Sequence, residues 1–255
     1  MSELIDDVFY SSLIQKNVPC RIVIPDSASH GNEPIPVLYL LHGLFGSCEN
    51  WTDLTALKSY VGNAPLLVVM PDGGNNWYTD SREKYESYLI QDLMPEIEGR
   101  FNAGTDPAKR AIAGNSMGGY GALKIALRYP EIFSFAASFS GALQATRFLQ
   151  GSEESELAPS ILRIFGDMQS RVRLDNDLFS LAARSSGNSD GLPYIYFDCG
   201  LDDEFIAANR EFSSTLAKAG IEHEFLEIAG GHDWPYWDER IRYLISILKK
   251  RFLIS

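Results

Sequence analysis

Residues Gly114-Asn115-Ser116-Met117-Gly118 form a G-x-S-x-G pentapeptide between a short apolar run and a helical pattern. Few backbones accommodate that arrangement. The chain must leave a buried strand, reverse in a tight strained turn, and enter a helix at once, with the serine at the apex. Glycines are needed on both sides because a side chain there would strike the neighbouring strand or helix. The run 109–113 reads as the incoming strand and 117–129 as the outgoing helix.

The rest of the chain repeats this alternation, which predicts a mostly parallel sheet covered by helices on both faces. Strands are expected at 18–24, 36–41, 66–70, 135–139, 194–197 and 224–228, and the central ones are continuously apolar, as fits strands buried on both sides. Tyr85, Tyr88, Leu89, Leu93 and Ile97 recur at helical spacing within 81–101, and Pro95 should kink or divide that helix. Further helices are expected at 204–219, ending at Gly220, and at 235–252. The segment 144–190 is too long for a simple crossover and reads as a helical cap inserted into a single α/β domain spanning 1–255.

A chain of 255 residues with 45% hydrophobic residues builds a real core. Its net charge of −12 argues against nucleic-acid and anionic-membrane partners, which call for basic stripes. Three cysteines, Cys20, Cys48 and Cys199, do not suggest a disulfide framework. Neither C-x-x-C nor H-E-x-x-H spacing occurs, so no metal site is implied, and the serine chemistry read below calls for no cofactor. The first ten residues lack the basic and apolar regions of a signal peptide, and no apolar run reaches membrane-spanning length. The expectation is a soluble cytoplasmic chain, with its oligomeric state, homo-oligomer included, left open.

A serine hydroxyl needs a base beside it to act as a nucleophile, and histidine titrates in the right range. Of His30, His42, His223 and His232, only His232 falls late in the chain, on a loop after an apolar strand. Ligands in open α/β sheets bind at that edge of the strands. The base needs an orienting carboxylate, which in this class precedes it in chain order. Asp198-Cys199-Gly200-Leu201-Asp202-Asp203-Glu204 supplies four candidates; Gly-x-x-Asp spacing favours Asp203 over Asp202. Backbone N–H groups of Met117, after the nucleophile, and of Leu44, in the loop after an early strand, would bind an oxyanion, with Phe45 as the alternative to Leu44. Trp77, Tyr78 and Trp234 lie close in sequence to these loops and are expected to contact substrate.

Leu41-His42-Gly43-Leu44, Asn75 to Asp80, Ala113 to Leu123, Cys199-Gly200-x-x-Asp203 and Gly230-Gly231-His232-Asp233-Trp234 together resemble the esterase D-like esterases. That group includes tributyrin esterases, feruloyl and acetyl-xylan esterases, S-formylglutathione hydrolases and, more distantly, mycolyltransferases. The resemblance spans about 18–248 and looks most like the tributyrin-esterase branch. S-formylglutathione hydrolases carry Gly-Gly-His after the nucleophile, whereas this chain has Tyr120. The resemblance implies an α/β-hydrolase fold, a Ser116–His232–Asp203 triad, an oxyanion hole from Leu44 and Met117, and a serine carboxylesterase acting on short-acyl esters, including acetyl or phenolic esters of sugars. The alternatives are S-formylglutathione hydrolysis, acyl transfer and a non-catalytic binding module of the same fold.

Overall fold

The computed structural model describes residues 2–25, 34–147, 157–187 and 191–253. Eight strands form one sheet: β1 (Glu3–Ser11), β2 (Lys16–Ile24), β3 (Val37–Leu41), β4 (Leu67–Pro71), β5 (Arg110–Asn115), β6 (Phe135–Phe139), β7 (Tyr194–Gly200) and β8 (His223–Ile228). Their spatial order is β1-β2-β4-β3-β5-β6-β7-β8. β1 and β2 are antiparallel to their neighbours, and every pairing from β4 to β8 is parallel.

Side chains along the central strands alternate between two apolar layers, as the two-residue period of a pleated strand requires. In β3, Val37, Tyr39 and Leu41 face one layer. Leu38 and Leu40 face the other, where they meet Ile241, Leu244 and Leu248 of the closing helix Trp234–Leu253. The first layer is filled by the elbow helix Met117–Arg128 and by helices to either side of it in sequence. Both faces of the central strands are therefore covered, which accounts for their unbroken apolar runs.

The sequence pattern places the central elements to within a few residues but misses β1. This edge strand is largely solvated, with Leu4, Asp6, Val8 and Tyr10 exposed along one face, so its alternation is masked by acidic residues. The helix expected over 81–101 is divided, as Pro95 predicts. A π-helical stretch, Tyr88–Leu93, intervenes between Tyr85–Ser87 and Met94–Phe101. The wider turn falls just before a residue that has no N–H to donate and whose ring crowds the preceding turn. In the inserted segment, helices Ala158–Phe165, Arg171–Asp175 and Leu178–Arg184 are formed. Residues 148–156 and 188–190 of that segment, and His30, lie outside the described residues.

Candidate active site

Ser116 leaves β5 with φ +52° and ψ −117° and caps the helix Met117–Arg128. A non-glycine residue in this region costs of order 1–3 kcal/mol. The surroundings hold it there. Its N–H donates to the Phe139 carbonyl at 3.0 Å, and its own carbonyl accepts from Tyr120 at 3.0 Å and Ala142 at 3.1 Å. The flanking glycines are sterically obligatory: a Cβ on Gly114 would lie 2.6 Å from the Gly118 backbone, and one on Gly118 would lie 2.5 Å from the Leu41 carbonyl oxygen. The serine is thereby thrust to the carboxyl edge of the sheet with 6% of its surface exposed.

The loops after β7 and β8 meet at the same edge. Leu201 N–H donates to the Ile228 carbonyl and Asp202 N–H to the Gly230 carbonyl, at 2.8 and 3.0 Å. This approach is possible because Gly200 has no side chain; a Cβ there would sit 2.3 Å from the Gly230 oxygen. The fastened turn points Asp203 inward, 3% exposed, and Asp202 outward into solvent. Asp203 Oδ2 lies 2.9 Å from His232 Nδ1, and its Oδ1 accepts from the Phe205 N–H at 2.8 Å. Burial works to raise the Asp203 carboxyl, but the bond and charge of His232 outweigh it and hold the group below the ordinary carboxylate range. An ionised Asp203 requires the proton on Nδ1, which leaves Nε2 as the acceptor face of His232. Phe205 and Trp237 hold the imidazole edge-on, each with ring centroids 5.0 Å away and interplanar angles of 79° and 87°.

Ser116 and His232 line one cleft of about 270 Å³, together with Gly43, Leu44, Phe45, Gly46, Asn50, Asn115, Trp234 and Trp237. Leu44 is on its wall, and Met117 is the first residue of the elbow helix, where backbone N–H groups have no partner within the helix. Phe45, the alternative oxyanion donor, has its N–H committed to Asn75 Oδ1 at 2.8 Å. Trp234 lies in the cleft wall and packs edge-on against Trp51 and Trp237.

Trp77 and Tyr78 are placed differently from the expectation that they contact substrate. Both are fully buried and neither lines the cleft. The Trp77 indole donates to Ser160 Oγ at 2.9 Å and packs against Tyr120 and Phe165, tying the inserted segment to the core. The Tyr78 hydroxyl lies 3.0 Å from the His42 N–H and 3.2 Å from the His42 carbonyl, directly beneath the Gly43–Leu44 loop. Adjacency to a motif in sequence does not tell which way an aromatic ring points. Tyr120 is likewise internal, its hydroxyl donating to the Asn176 carbonyl at 2.7 Å.

His42 braces the same loop. Gly73 N–H donates to its Nε2 at 2.8 Å, so the proton resides on Nδ1, which donates to the Gly43 carbonyl at 2.7 Å. Burial lowers its proton affinity and keeps it neutral. His223 is engaged by Ser213 Oγ and the Ile221 carbonyl, away from the cleft. Asn50, Phe205 and Trp237 surround the site without any motif of their own, and Asn115, inside the pentapeptide, joins them. Among the described residues, no cluster of three His, Cys, Asp or Glu side chains is placed to hold a metal ion.

The parallel β3–β8 core, its antiparallel β2 flank, the nucleophile elbow after β5, and the acid-bearing and histidine-bearing loops after β7 and β8 define an α/β-hydrolase. The chain belongs to the esterase family described as Putative esterase, which it matches over residues 11–244. It is similar to an acetyl esterase of Caldicellulosiruptor saccharolyticus, with 29% identity over 256 residues covering 95% of this chain and 96% of the relative. It is also similar to Esterase Rv1288 of Mycobacterium tuberculosis, with 32% identity over 249 residues; the match covers 88% of this chain but 54% of that protein, so the chain spans about half its length. Among solved structures, the S-formylglutathione hydrolase FrmB of Staphylococcus aureus shares the fold with a TM-score of 0.86 and 24% identity, covering 98% of this chain and 99% of the other. This protein is therefore an esterase of the α/β-hydrolase fold, and no helix among its described residues is long and apolar enough to cross a membrane.

Proposed function

We propose that the protein hydrolyses short-acyl esters through an acyl-enzyme on Ser116, with His232 as general base and Asp203 as its orienting carboxylate. The observation that carries this reading is the 2.9 Å bond between buried Asp203 and His232 in a cleft that His232 shares with the elbow serine. His232 takes the serine proton as Oγ attacks the ester carbonyl. Asp203 holds the tautomer and stabilises the imidazolium that forms. The N–H groups of Leu44 and Met117 receive the oxyanion; losing one such donor costs about 3–4 kcal/mol of transition-state stabilisation. The imidazolium then protonates the departing alcohol, and water, activated by the same histidine, releases the acyl group.

The modest cleft and its indole wall at Trp234 and Trp237 support a short acyl chain over a fatty one. The acetyl esterase activity named for the Caldicellulosiruptor relative agrees with that preference. We read the inserted segment 144–190 as a cap, since its helix Ala158–Phe165 packs on Trp77 and supplies Ser160 and Arg163 to a cavity beside the cleft. Ser116→Ala should abolish labelling by a fluorophosphonate and reduce hydrolysis of nitrophenyl acetate to below about a tenth, while the circular dichroism spectrum stays unchanged. A well-folded variant that keeps its rate refutes the assignment.

A further inference from the structure

Phe45 is poorly explained by folding. The residue is 68% exposed and its backbone sits at φ +61°, a conformation costly for any side chain with a Cβ. A smaller or polar residue would serve a surface turn better. The ring nevertheless has a defined place, because it lines both the Ser116 cleft and a second cavity of about 530 Å³. The two spaces meet at this one side chain.

The second cavity has a definite charge. Lys16 and Arg163 line it with Asn75, Asn76 and Ser160, and no carboxylate is among its lining residues. Lys16 is paired with Glu83 at 2.6 Å, which offsets part of its charge. Arg163 differs. It donates to the Asn75 carbonyl, and among the described residues no carboxylate pairs with it. A guanidinium has five N–H donors in a planar fork suited to a carboxylate, so most of its donors stay available. The same Asn75 receives the Phe45 N–H on Oδ1, so one asparagine ties the cation to the turn that carries the ring. In a chain of net charge −12, a cation-lined cavity next to the nucleophile runs against the field of the whole molecule.

We infer that the cavity beyond Phe45 is a substrate subsite that takes an anionic arm of the ester, a carboxylate carried on either the acyl or the alcohol portion. The inference rests on the esterase reading of Ser116, and it names the substrate class for that site. The arm crosses the exposed Phe45 ring and ends against the Arg163 guanidinium, with Lys16 adding long-range attraction.

Two matched substrate series test it on the intact protein. In one, para-carboxyphenyl acetate is compared with its neutral methyl ester, placing charge on the alcohol portion. In the other, nitrophenyl hydrogen adipate is compared with its methyl ester, placing charge on the acyl portion. The anionic member of at least one series should show about three- to tenfold higher kcat/KM, chiefly through KM, as a charge-assisted bond at a partly solvated site supplies. That preference should shrink as ionic strength rises from about 20 to 300 mM. Arg163→Gln should reduce it below about twofold, and Arg163→Lys should keep part of it. The salt titration of the unmodified protein guards against a variant that merely loosens Asn75. Ready hydrolysis of the neutral esters with no charge preference in either series overturns the subsite and leaves the esterase reading standing. Failure to hydrolyse any ester, with no labelling of Ser116, overturns that reading and the subsite with it.

Discussion

Neighbouring aspartates in one turn show how much a single side-chain direction decides. Asp203 is buried against His232, whereas Asp202 points to solvent. Asp203→Asn should therefore leave His232 in the wrong tautomer and cost on the order of 10⁴ in kcat, by analogy with serine proteases. Asp202→Asn should change stability by no more than about 0.5 kcal/mol, the usual range for a surface substitution. Steady-state kinetics on the two variants checks the pair, and a reversal of the two effects would show that the wrong neighbour was assigned. Tyr78 makes the complementary point, since it acts on the site without lining it. Its hydroxyl bridges the N–H and carbonyl of His42, at 3.0 and 3.2 Å, under the loop that carries the Leu44 donor. Tyr78→Phe keeps the buried ring but releases that loop. The expected result is about a tenfold lower kcat with KM little changed, because an oxyanion donor acts mainly in the transition state. Equal losses of affinity for substrate and for a trifluoromethyl-ketone transition-state analogue would contradict a positioning role.

Elements are held in register here by charge as well as by apolar packing. The elbow helix Met117–Arg128 carries Lys124, fully buried, and its ammonium lies 2.7 Å from Glu86 in the helix Tyr85–Ser87. It also donates to the Tyr78 carbonyl at 2.6 Å and to Thr79 Oγ1 at 2.7 Å. These bonds fasten the segment in which Trp77 and Tyr78 both adopt positive φ, 54° and 47°. Arg128 gives Glu86 a second partner at 2.6 Å. Lys124→Met should remove about 3–5 kcal/mol of stability, since it strips a buried carboxylate of one of its two cations; urea denaturation gives the number, and a loss under about 1 kcal/mol would mean the pair is dispensable. None of this was legible in the sequence, where Lys124 reads as a polar position on a helix. The elbow, the late histidine and the Gly-x-x-Asp turn were legible, because each rests on local backbone requirements: strand-to-helix reversal at Ser116, a loop at the sheet edge for His232, a close glycine contact before Asp203. The burial of Trp77 and Tyr78 depends on long-range packing against Ser160, Phe165 and His42, which adjacency to a loop motif does not encode. The solvated edge strand β1 escaped for a related reason, since its partner β2 rather than its own pattern makes it a strand.

For the molecule as a whole, stability against pH follows from buried carboxylates with opposite shifts. Burial works to raise Glu86, but Lys124 and Arg128 overcome it and bring the group down from 4.5 to about 2. The folded state therefore binds that proton less tightly than the unfolded chain, and the stability Glu86 contributes is present above its unfolded value and lost as pH falls toward about 2. Asp198 behaves in the reverse sense. It sits fully buried in β7, and although the Tyr196 and Tyr236 hydroxyls donate to it at 2.6 and 2.8 Å, desolvation prevails and lifts it from 3.8 to about 7. The folded state holds this proton more tightly, so the group carries no penalty below its unfolded value. Stability then declines as pH rises from 3.8 to about 7, and the whole cost is present above that window. Tyr236 belongs to the closing helix that follows the His232 loop, so the tyrosine–carboxyl cluster also sets how that helix docks on β7. Asp198→Asn keeps an acceptor for one hydroxyl and supplies a donor for the other while removing the titration. Urea midpoints measured at about pH 4.5, 6 and 7.5 should show the variant gaining on the parent protein as pH rises, with the gain complete once the folded-state carboxyl is ionised. Parallel curves for the two proteins would place the Asp198 proton outside this window and remove the group from the account of neutral-pH stability.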